Sequence, residues 1–339
     1  MSANSNVTAQ DDDTGVPVID ISPYFTGSPA ERKNLARKID AACRSIGFLV
    51  VSGHGVPASL TENAQAVSRA FFDLPVEVKK SVVSKTASAY RGYRGLEASV
   101  LAYSRDDKDA APDHRELFSI GPIETDPSDP YYSTAEGART IIPNIWADAI
   151  PDFEPTLRDY YRAMDSLSFA LMRLFALGLD LDEHWFDRNV DKDISVLQLS
   201  HYPDQHEAPK QGQLRASAHS DWGSLTILKA EDRPGGLEVF TRAGEWRPVP
   251  IIPGTFIVNI GDLMARWTND RWVSTLHRVV NPPRDKADNS RRLSLVFFHQ
   301  PNYDAVVECI PTCTETAPKY PPVASGDYLR MRVTQTFKA

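Results

Sequence analysis

A histidine and an aspartate are separated by a single residue in residues 217–228, which read SAHSDWGSLTIL. The apolar residues after Gly223 predict a strand that is covered on both faces. Since residues two apart on a strand point to the same side, His219 and Asp221 would project together into one cavity. An imidazole and a carboxylate placed in this way are two of the three ligands of the 2-His-1-carboxylate set, which binds non-haem Fe(II) and leaves coordination positions open.

The third ligand would be a second histidine on a strand across the predicted barrel. His277, in STLHRVV, is the best candidate because it opens an apolar run of β-type residues. His201 should face the opposite way from Tyr202 on its own strand, so we expect it to pack rather than to bind metal. An isolated His-x-Asp is more often a solvated strand end, and the metal interpretation therefore depends on His277 and on the residues described next.

Residues 291–298, RRLSLVFF, predict a strand that binds an anion. Arg292 and Ser294 share one face of this strand, and two leucines share the other. Burying an arginine is costly unless it meets an anion. A guanidinium beside a hydroxyl can hold a carboxylate through paired hydrogen bonds, and Tyr202 in the HYP motif could donate a further one.

The composition is that of an ordinary soluble globular protein, because 42% of the 339 residues are hydrophobic and 24% are charged. The formal net charge of -8 argues against a sequence-independent nucleic-acid surface, which needs an excess of lysine and arginine. No apolar run has the roughly 18 residues of a membrane span, and the polar N-terminus lacks the apolar stretch of a signal peptide. Three cysteines without a CxxC motif argue against a disulfide framework, so we expect a cytoplasmic protein.

From residue 194 onward, short apolar runs separated by turn residues predict many short strands, as in an all-β barrel or sandwich. A jelly roll fits this pattern best, and the preceding helices would pack on its outside. The predicted fold class is therefore mainly β with flanking helices around a double-stranded β-helix (jelly-roll) core. Residues 156–179 carry a broad apolar face and predict the main scaffold helix.

This pattern divides the chain into five segments. They are a disordered tail (1–15), an N-terminal region of helices and strands (16–125), a connecting segment with the scaffold helix (126–190), the jelly-roll catalytic core (191–305) and a C-terminal segment (306–339). Within the second segment, residues 87–95 (ASAYRGYRG) predict a polar loop whose aromatic and basic residues either face a substrate or lie in solvent. Those residues are Tyr90, Arg91, Tyr93 and Arg94.

Several large or polar side chains adjoin the metal and anion motifs and are candidates for a substrate pocket, although core packing explains each nearly as well. They are Trp222, Phe298, Gln198, Met264 and Arg266. We interpret Asn259 and Asp262 as turn and strand-end residues.

An ordered set of motifs covers nearly the whole chain: PVIDIS, GFLVVSGHGVP, HYP, HxDxGxxTIL, NIGDLMARWTND, STLHRVVNPP and RxS. Together they resemble the 2-oxoglutarate/Fe(II)-dependent dioxygenases of the isopenicillin N synthase-like superfamily. No single motif is decisive, but the ordered set is specific. The resemblance implies that His219, Asp221 and His277 are the iron ligands.

For the co-substrate, the resemblance implies that Arg292 with Ser294 binds the distal carboxylate of 2-oxoglutarate and that Tyr202 is a further contact. Ser200 stands where many members carry Asn. The implied reaction couples the decarboxylation of 2-oxoglutarate to succinate and CO2 with the hydroxylation, or a related C–H oxidation, of a small organic substrate by O2. The protein would supply geometry and a dry pocket for this chemistry.

Within the superfamily, GDLMARWTND and STLHRVVNPP are most similar to thymine 7-hydroxylases and to bacterial and fungal natural-product oxygenases. Gln198 stands where that subgroup has an arginine near the pocket, so thymine itself is not carried over. Trp222 and Phe298 flank the metal motifs as stacking faces, which favours a small polar or aromatic heterocyclic substrate.

Three other functions compete with this interpretation. An oxidase of the same fold would draw all its electrons from the substrate and would not use 2-oxoglutarate. A non-catalytic binding or regulatory protein could keep the barrel, but the intact ligand set argues against it. A zinc hydrolase is disfavoured because no glutamate stands beside the histidines as in HExxH. The sequence leaves the oligomeric state open.

Overall fold

The computed structural model describes residues 15–85, 90–105, 107, 109–126 and 128–336. The tail predicted over residues 1–15 therefore lies outside the described residues, except for Gly15. Strands and helices of the described part are numbered below in chain order.

The strands are β1 Val18–Asp20, β2 Phe48–Ser52, β3 Gly92–Arg94, β4 Glu116–Ile120, β5 Val196–Tyr202, β6 Ala216–His219, β7 Leu225–Ala230, β8 Leu237–Phe240, β9 Trp246–Pro248, β10 Phe256–Ile260, β11 His277–Val279, β12 Arg292–His299, β13 Val306–Val307 and β14 Val323–Ala324. The α-helices are α1 Ser22–Thr26, α2 Pro29–Ser45, α3 Ala58–Phe72, α4 Val76–Lys80, α5 Pro130–Ser133, α6 Ala135–Thr140, α7 Phe153–Gly178, α8 Asp187–Val190, α9 Asp262–Trp267 and α10 Ser325–Thr336. Short 3-10 helices cover Leu101–Arg105, Arg284–Asn289 and Pro311–Cys313.

Two sheets pack face to face and form the jelly roll that the strand pattern predicts. The larger sheet has eight strands in the order β1-β2-β10-β7-β12-β5-β4-β3, and the smaller has four in the order β6-β11-β8-β9. Apolar side chains from both sheets meet in one interior cluster, which includes Phe48, Val50 and Ile257 from the larger sheet and Val239 and Val279 from the smaller. Strands β1 to β4 precede α7 in the chain yet belong to the larger sheet, so the N-terminal strands and the jelly roll form one structural unit.

The two faces of the larger sheet have different partners. In β12, which lies between β5 and β7, Leu293, Leu295 and Phe297 belong to the apolar cluster on the helix side. Arg292 lies on the other face, opposite Tyr202 of β5, which belongs to the interior cluster between the sheets. The alternation predicted for this strand is confirmed, and it sends one arginine into the interior of the barrel.

Helix α7 is the scaffold on the outside of the larger sheet, as predicted over residues 156–179. Its buried side includes Leu157, Met164 and Leu171, and α2 and α3 pack against it. Apolar residues at helical spacing explain both the helix and its burial. No described helix, α7 included, has the length and apolar character needed to cross a bilayer.

The prediction of a polar loop over residues 87–95 is wrong for the second half of that range. Gly92–Arg94 forms β3 at the edge of the larger sheet. Tyr93 is buried there, and its hydroxyl donates a hydrogen bond of 2.6 Å to the carboxylate of Glu116 on β4. Residues 92–94 thus form a strand because they contact residues distant in the sequence, and the polarity of the segment itself does not reveal that contact. Residues 87–89 lie outside the described part of the chain.

The buried carboxylate of Glu116 joins β4 to α4 and to β5. It accepts hydrogen bonds from Lys79 Nζ at 2.8 Å, Tyr93 Oη at 2.6 Å and His201 Nδ1 at 2.8 Å. Burial alone would raise the pKa of Glu116, but these three hydrogen bonds outweigh it and lower the pKa to about 2. Arg291 donates to Nε2 of His201 at 2.8 Å, so both ring nitrogens have partners and His201 packs as predicted.

Gly47 connects α2 to β2 with a φ of +66°, in the left-handed region. A Cβ added there would lie 2.0 Å from the carbonyl oxygen of Val273. We expect Gly47→Ala to lower the free energy of unfolding by about 2–4 kcal/mol, because backbone strain and the collision add. Gly244→Ala is the matched control: its φ is +79° and its Cβ would meet nothing within 4 Å, so it should cost only about 1–2 kcal/mol. Urea unfolding measures the difference, and equal losses would contradict the prediction.

Candidate metal centre

Two histidines face each other across neighbouring strands of the smaller sheet. His219 ends β6 and His277 begins β11, and the two residues are direct partners in the antiparallel ladder, with ring centroids 4.3 Å apart. Asp221 follows two residues after β6, and its Oδ1 lies 3.9 Å from Nε2 of His219 and 3.6 Å from Nε2 of His277. One ligand atom from each of the three side chains lies within 4.8 Å of the other two. A single metal ion could be bound by all three at this spacing.

This geometry differs in two ways from the predicted one. His219 and Asp221 do not share a strand, because β6 ends at His219 and Asp221 lies in the turn before β7. His277 lies on the strand beside His219 rather than across the barrel from it. Gly223 explains the turn, since a Cβ at this position would lie 2.3 Å from the carbonyl oxygen of His299 and would prevent the close approach to β12.

Backbone carbonyls fix the orientation of both imidazoles. Nδ1 of His219 donates to the carbonyl oxygen of Ser217 at 2.7 Å, and Nδ1 of His277 donates to that of Thr275 at 3.1 Å. With the protons on Nδ1, the Nε2 lone pairs on the side of Asp221 are available to a metal. Burial and the neighbouring His277 lower the pKa of His219 to about 3, so its ring is neutral, which is the form that binds metals.

The carboxylate of Asp221 is held by the larger sheet. Its Oδ2 accepts hydrogen bonds from Thr226 Oγ1 on β7 at 2.6 Å and from Asn259 Nδ2 on β10 at 2.8 Å. Burial would raise the pKa of Asp221, but the two histidines and the two hydrogen bonds outweigh burial and hold the pKa below its ordinary value. Asp221 is therefore ionised, and its Oδ1 stays on the side of the histidines.

The interpretation of Asn259 as a turn or strand-end residue is wrong. It lies within β10 as the direct partner of Thr226 on β7, and both side chains point to Asp221. The signal available in the sequence was an amide inside the otherwise apolar run FIVNI, since a buried amide needs a hydrogen-bond partner.

A second group of buried side chains surrounds the Tyr202 ring inside the barrel. Arg292 is 1% exposed, and its guanidinium carbon lies 5.9 Å from the centroid of that ring. It donates to the carbonyl oxygen of Gly235 at 3.1 Å, while its Nε has no hydrogen-bond partner among the described residues. Ser294 lies on the same face of β12, opposite Ser200 of β5. The predicted pair is thus brought together with Tyr202 on one interior surface.

Arg215 is a buried cation that we did not predict. It is 0% exposed, its guanidinium carbon lies 6.0 Å from the centroid of the Tyr202 ring, and it donates to the carbonyl oxygens of Pro203, Pro234 and Ser290. Burial and the charge of Arg292 lower the pKa of Arg215 to about 10, which leaves it protonated at neutral pH. Arg215, Ser217 and His219 follow one another at intervals of two residues. This spacing could have indicated that their side chains lie on the same face of an extended segment.

A cavity of about 510 Å³ opens beside His219 and Asp221. Trp222, Phe298 and Gln198 line it, as predicted. One side of helix α10 covers part of the cavity, so the C-terminal segment contributes to its wall. A concave, largely apolar site next to a candidate metal centre is suited to a small organic molecule.

Two of the pocket candidates are wrong. Met264 and Arg266 lie on α9, where Met264 is buried in the core and Arg266 stacks on the ring of Tyr320 at 4.6 Å. The sequence did not indicate that these residues form a helix after β10, and the helix directs both side chains away from the cavity. In residues 90–94, Tyr90 and Arg91 line the cavity.

Comparison with known proteins assigns the chain to a family. Residues 16–149 match the model of the non-haem dioxygenase in morphine synthesis N-terminal family, and residues 194–301 match that of the 2OG-Fe(II) oxygenase superfamily. The 2-oxoglutarate-Fe(II) type oxidoreductase hxnY of Emericella nidulans is 32% identical over 96% of this chain and 91% of its own length. The chain belongs to the 2OG-Fe(II) oxygenase superfamily.

The protein is accordingly a 2-oxoglutarate-dependent non-haem Fe(II) dioxygenase that uses Fe(II), 2-oxoglutarate and O2 on a small organic substrate, as predicted. The full-length thymine 7-hydroxylase of Neurospora crassa has been solved with alpha-KG and thymine, and its structure superposes on that of the present protein with a TM-score of 0.81. The two sequences are 31% identical, and the match covers 96% of this chain and 99% of the hydroxylase. Validamycin A dioxygenase of Streptomyces hygroscopicus subsp. limoneus is 32% identical over 92% of this chain and 81% of its own. These similarities confirm the predicted subgroup, and none supports an oxidase that works without 2-oxoglutarate.

The hydroxyl of Thr226 should control the affinity of the centre for a divalent metal. We expect Thr226→Val to weaken metal binding by about 10- to 100-fold, because Asp221 loses one of the two donors that fix its carboxylate. Thr226→Ser keeps the hydroxyl and is the matched control. Anaerobic titration with Fe(II) or Mn(II) measures the dissociation constants, and wild-type affinity in Thr226→Val would refute this role.

Proposed function

We propose that His219, Asp221 and His277 bind the Fe(II) of this dioxygenase. The observation that carries the proposal is the convergence of two imidazole nitrogens and one carboxylate oxygen within 4.8 Å. This donor set suits Fe(II) and leaves coordination positions for other ligands. When bound, the iron supplies the redox chemistry that links O2 and 2-oxoglutarate to oxidation of the substrate. The part of the chain that the structure describes holds no second group of three such side chains.

We further propose that Arg292 and Ser294 bind the distal carboxylate of 2-oxoglutarate, with Tyr202 as a further contact. The buried guanidinium of Arg292 and its unpartnered Nε support this, because a carboxylate would offset the charge and accept the free donor. Arg215 lies beside the same tyrosine ring and adds positive charge to the region. The five-carbon keto acid would then lie between this arginine pair and the metal centre.

For the substrate we propose a small aromatic or heterocyclic molecule bound in the cavity beside the metal ligands. Trp222 and Phe298 support this, since they offer aromatic faces at the cavity wall, and the Neurospora crassa hydroxylase, to which this dioxygenase is similar, is solved with thymine. The chain's own contribution is to orient the substrate toward the metal ligands and to exclude water. Leu329 and Val333 of α10 would serve that second purpose.

Of the five sequence segments, we propose that residues 191–305 hold the catalytic groups, that 16–125 and 126–190 support them, and that 306–339 contributes α10 to the cavity wall. A cytoplasmic location is also proposed, because all three cysteines are free thiols, as in a reducing compartment. The net charge of -8 supports the proposal that the protein has no nucleic-acid partner.

Asp221→Ala tests the metal proposal. We expect this variant to lose stoichiometric Fe(II) binding and all succinate formation, because two imidazoles alone do not complete the ligand set. Asp159→Ala, on the exposed side of α7, is the control and should retain both. Anaerobic iron titration and a succinate assay are the measurements. Wild-type iron affinity in Asp221→Ala, with circular dichroism unchanged, would overturn the assignment of this ligand.

Arg292→Ala tests the co-substrate proposal. We expect the dissociation constant for 2-oxoglutarate to rise by roughly 10- to 150-fold, because about 1.5–3 kcal/mol of charge-assisted hydrogen bonding is lost. Iron binding should not change. Arg291→Ala is the matched control, since Arg291 is adjacent in sequence but pairs with Asp73 and His201 instead. Normal affinity for 2-oxoglutarate in Arg292→Ala would refute the role given to Arg292.

A further inference from the structure

Four arginines line the cavity beside the candidate metal centre, and one of them lacks a carboxylate partner among the described residues. Arg139 and Arg330 both pair with Glu136, and Arg330 also pairs with Asp327, so two carboxylates offset these two charges. Arg115 has Asp113 at 3.7 Å. Arg91 has no ion pair within the described part of the chain. Of the four charges, that of Arg91 is therefore the one that no described carboxylate offsets.

The environment of Arg91 holds the guanidinium in place without neutralising it. The residue is 5% exposed, and its guanidinium donates to the carbonyl oxygens of Tyr90 at 2.8 Å and Ile142 at 3.3 Å. It packs directly on Gly121, where an added Cβ would lie 1.8 Å from Nη2 of Arg91. Only glycine leaves room for the guanidinium at this point, so the position of the charge is built into the fold. Burial lowers the pKa of Arg91 to about 10, and the group stays protonated at neutral pH.

Arg115 adds to the positive potential of the same cavity. Its Nε is buried and has no hydrogen-bond partner in the described part of the chain. The carboxylate of Asp113 already accepts from the backbone N–H groups of Leu101 at 2.9 Å and Ser217 at 2.7 Å, so it is shared with neutral donors. Among the described residues that line the cavity, the one carboxylate is that of Asp221, which faces the two histidines.

We propose that the substrate of this dioxygenase carries a carboxylate that pairs with Arg91. A buried cation in a ligand cavity is stabilised when an anion enters, because the pair offsets the loss of hydration that burial imposes. Arg91 would bind this anion through its remaining N–H donors, and Trp222 and Phe298 would hold the aromatic part of the same molecule. The inference rests on the proposed function, and it narrows the substrate class to small aromatic carboxylic acids.

A purely structural role for Arg91 and a role in anion binding predict different effects of replacing it on ligand affinity. If Arg91 only tied residue 90 to residue 142, its loss would weaken the binding of charged and neutral ligands alike. If Arg91 binds an anion, its replacement should weaken the binding of the charged ligand and leave the affinity for the neutral ligand unchanged. Matched pairs of acid and amide separate the two roles, because they share shape and differ in charge.

The test uses the enzyme loaded with Fe(II) and 2-oxoglutarate under nitrogen, titrated calorimetrically with benzoate and benzamide, phenylacetate and phenylacetamide, and indole-3-acetate and indole-3-acetamide. We expect at least one carboxylate to bind at least about tenfold more tightly than its amide. In Arg91→Gln the affinity for that acid should fall at least about tenfold while that for the amide is unchanged, and Arg91→Lys should recover part of the loss. Arg139→Gln is the matched control and should keep the preference for the acid, because Arg139 already pairs with Glu136.

The inference is overturned if no carboxylate binds better than its amide, or if Arg91→Gln keeps the preference. Loss of the preference in Arg115→Gln but not in Arg91→Gln would overturn the assignment to Arg91. Failure of the proposed metal and co-substrate site would look different. The charge-transfer absorption of the Fe(II) and 2-oxoglutarate complex would then be absent from the wild type, whereas Arg91→Gln should retain it.

Discussion

The carboxylate of Asp221 connects the two sheets of the barrel at the candidate metal centre. One oxygen accepts hydrogen bonds from Thr226 and Asn259 of the larger sheet, and the other faces the histidines carried by the smaller sheet. The three ligand atoms converge only while the two sheets are packed against each other. Metal affinity and the packing of the barrel interior are therefore linked, and a bound metal should stabilise the fold by mass action.

A second constraint is the burial of guanidinium groups inside the barrel and its cavity. Arg215, Arg292 and Arg91 are each held by backbone carbonyls, which satisfy donors but carry no full negative charge. Such groups lower the stability of the empty protein and gain most when an anion arrives. Buried positive charge thus lies in two places, at the arginines beside Tyr202 and at Arg91 on the cavity wall, and we propose that each binds an anion. This arrangement fits a dioxygenase whose co-substrate and substrate are both acids.

The sequence was sufficient to predict the jelly roll, the scaffold helix and the convergence of His219, Asp221 and His277. Short-range patterns carried the first two predictions, since strand alternation and helical periodicity act over a few residues. The convergence of the three side chains followed from the ordered set of motifs, because His219 and Asp221 do not share the strand on which alternation would have placed them together. The sequence was not sufficient to predict the contact of Asn259 with Asp221 or the strand at Gly92–Arg94, because both depend on partners distant in the chain. The position of Asp221 beyond the end of β6 was also missed, since it depends on the close approach of Gly223 to β12.

The most direct test is a crystal structure of the protein prepared anaerobically with Fe(II) and 2-oxoglutarate. We expect one metal ion bound by Nε2 of His219, Nε2 of His277 and Oδ1 of Asp221, with the distal carboxylate of the keto acid on Arg292. Metal density elsewhere in the molecule, or a keto acid whose distal carboxylate lies away from Arg292, would contradict the central claim.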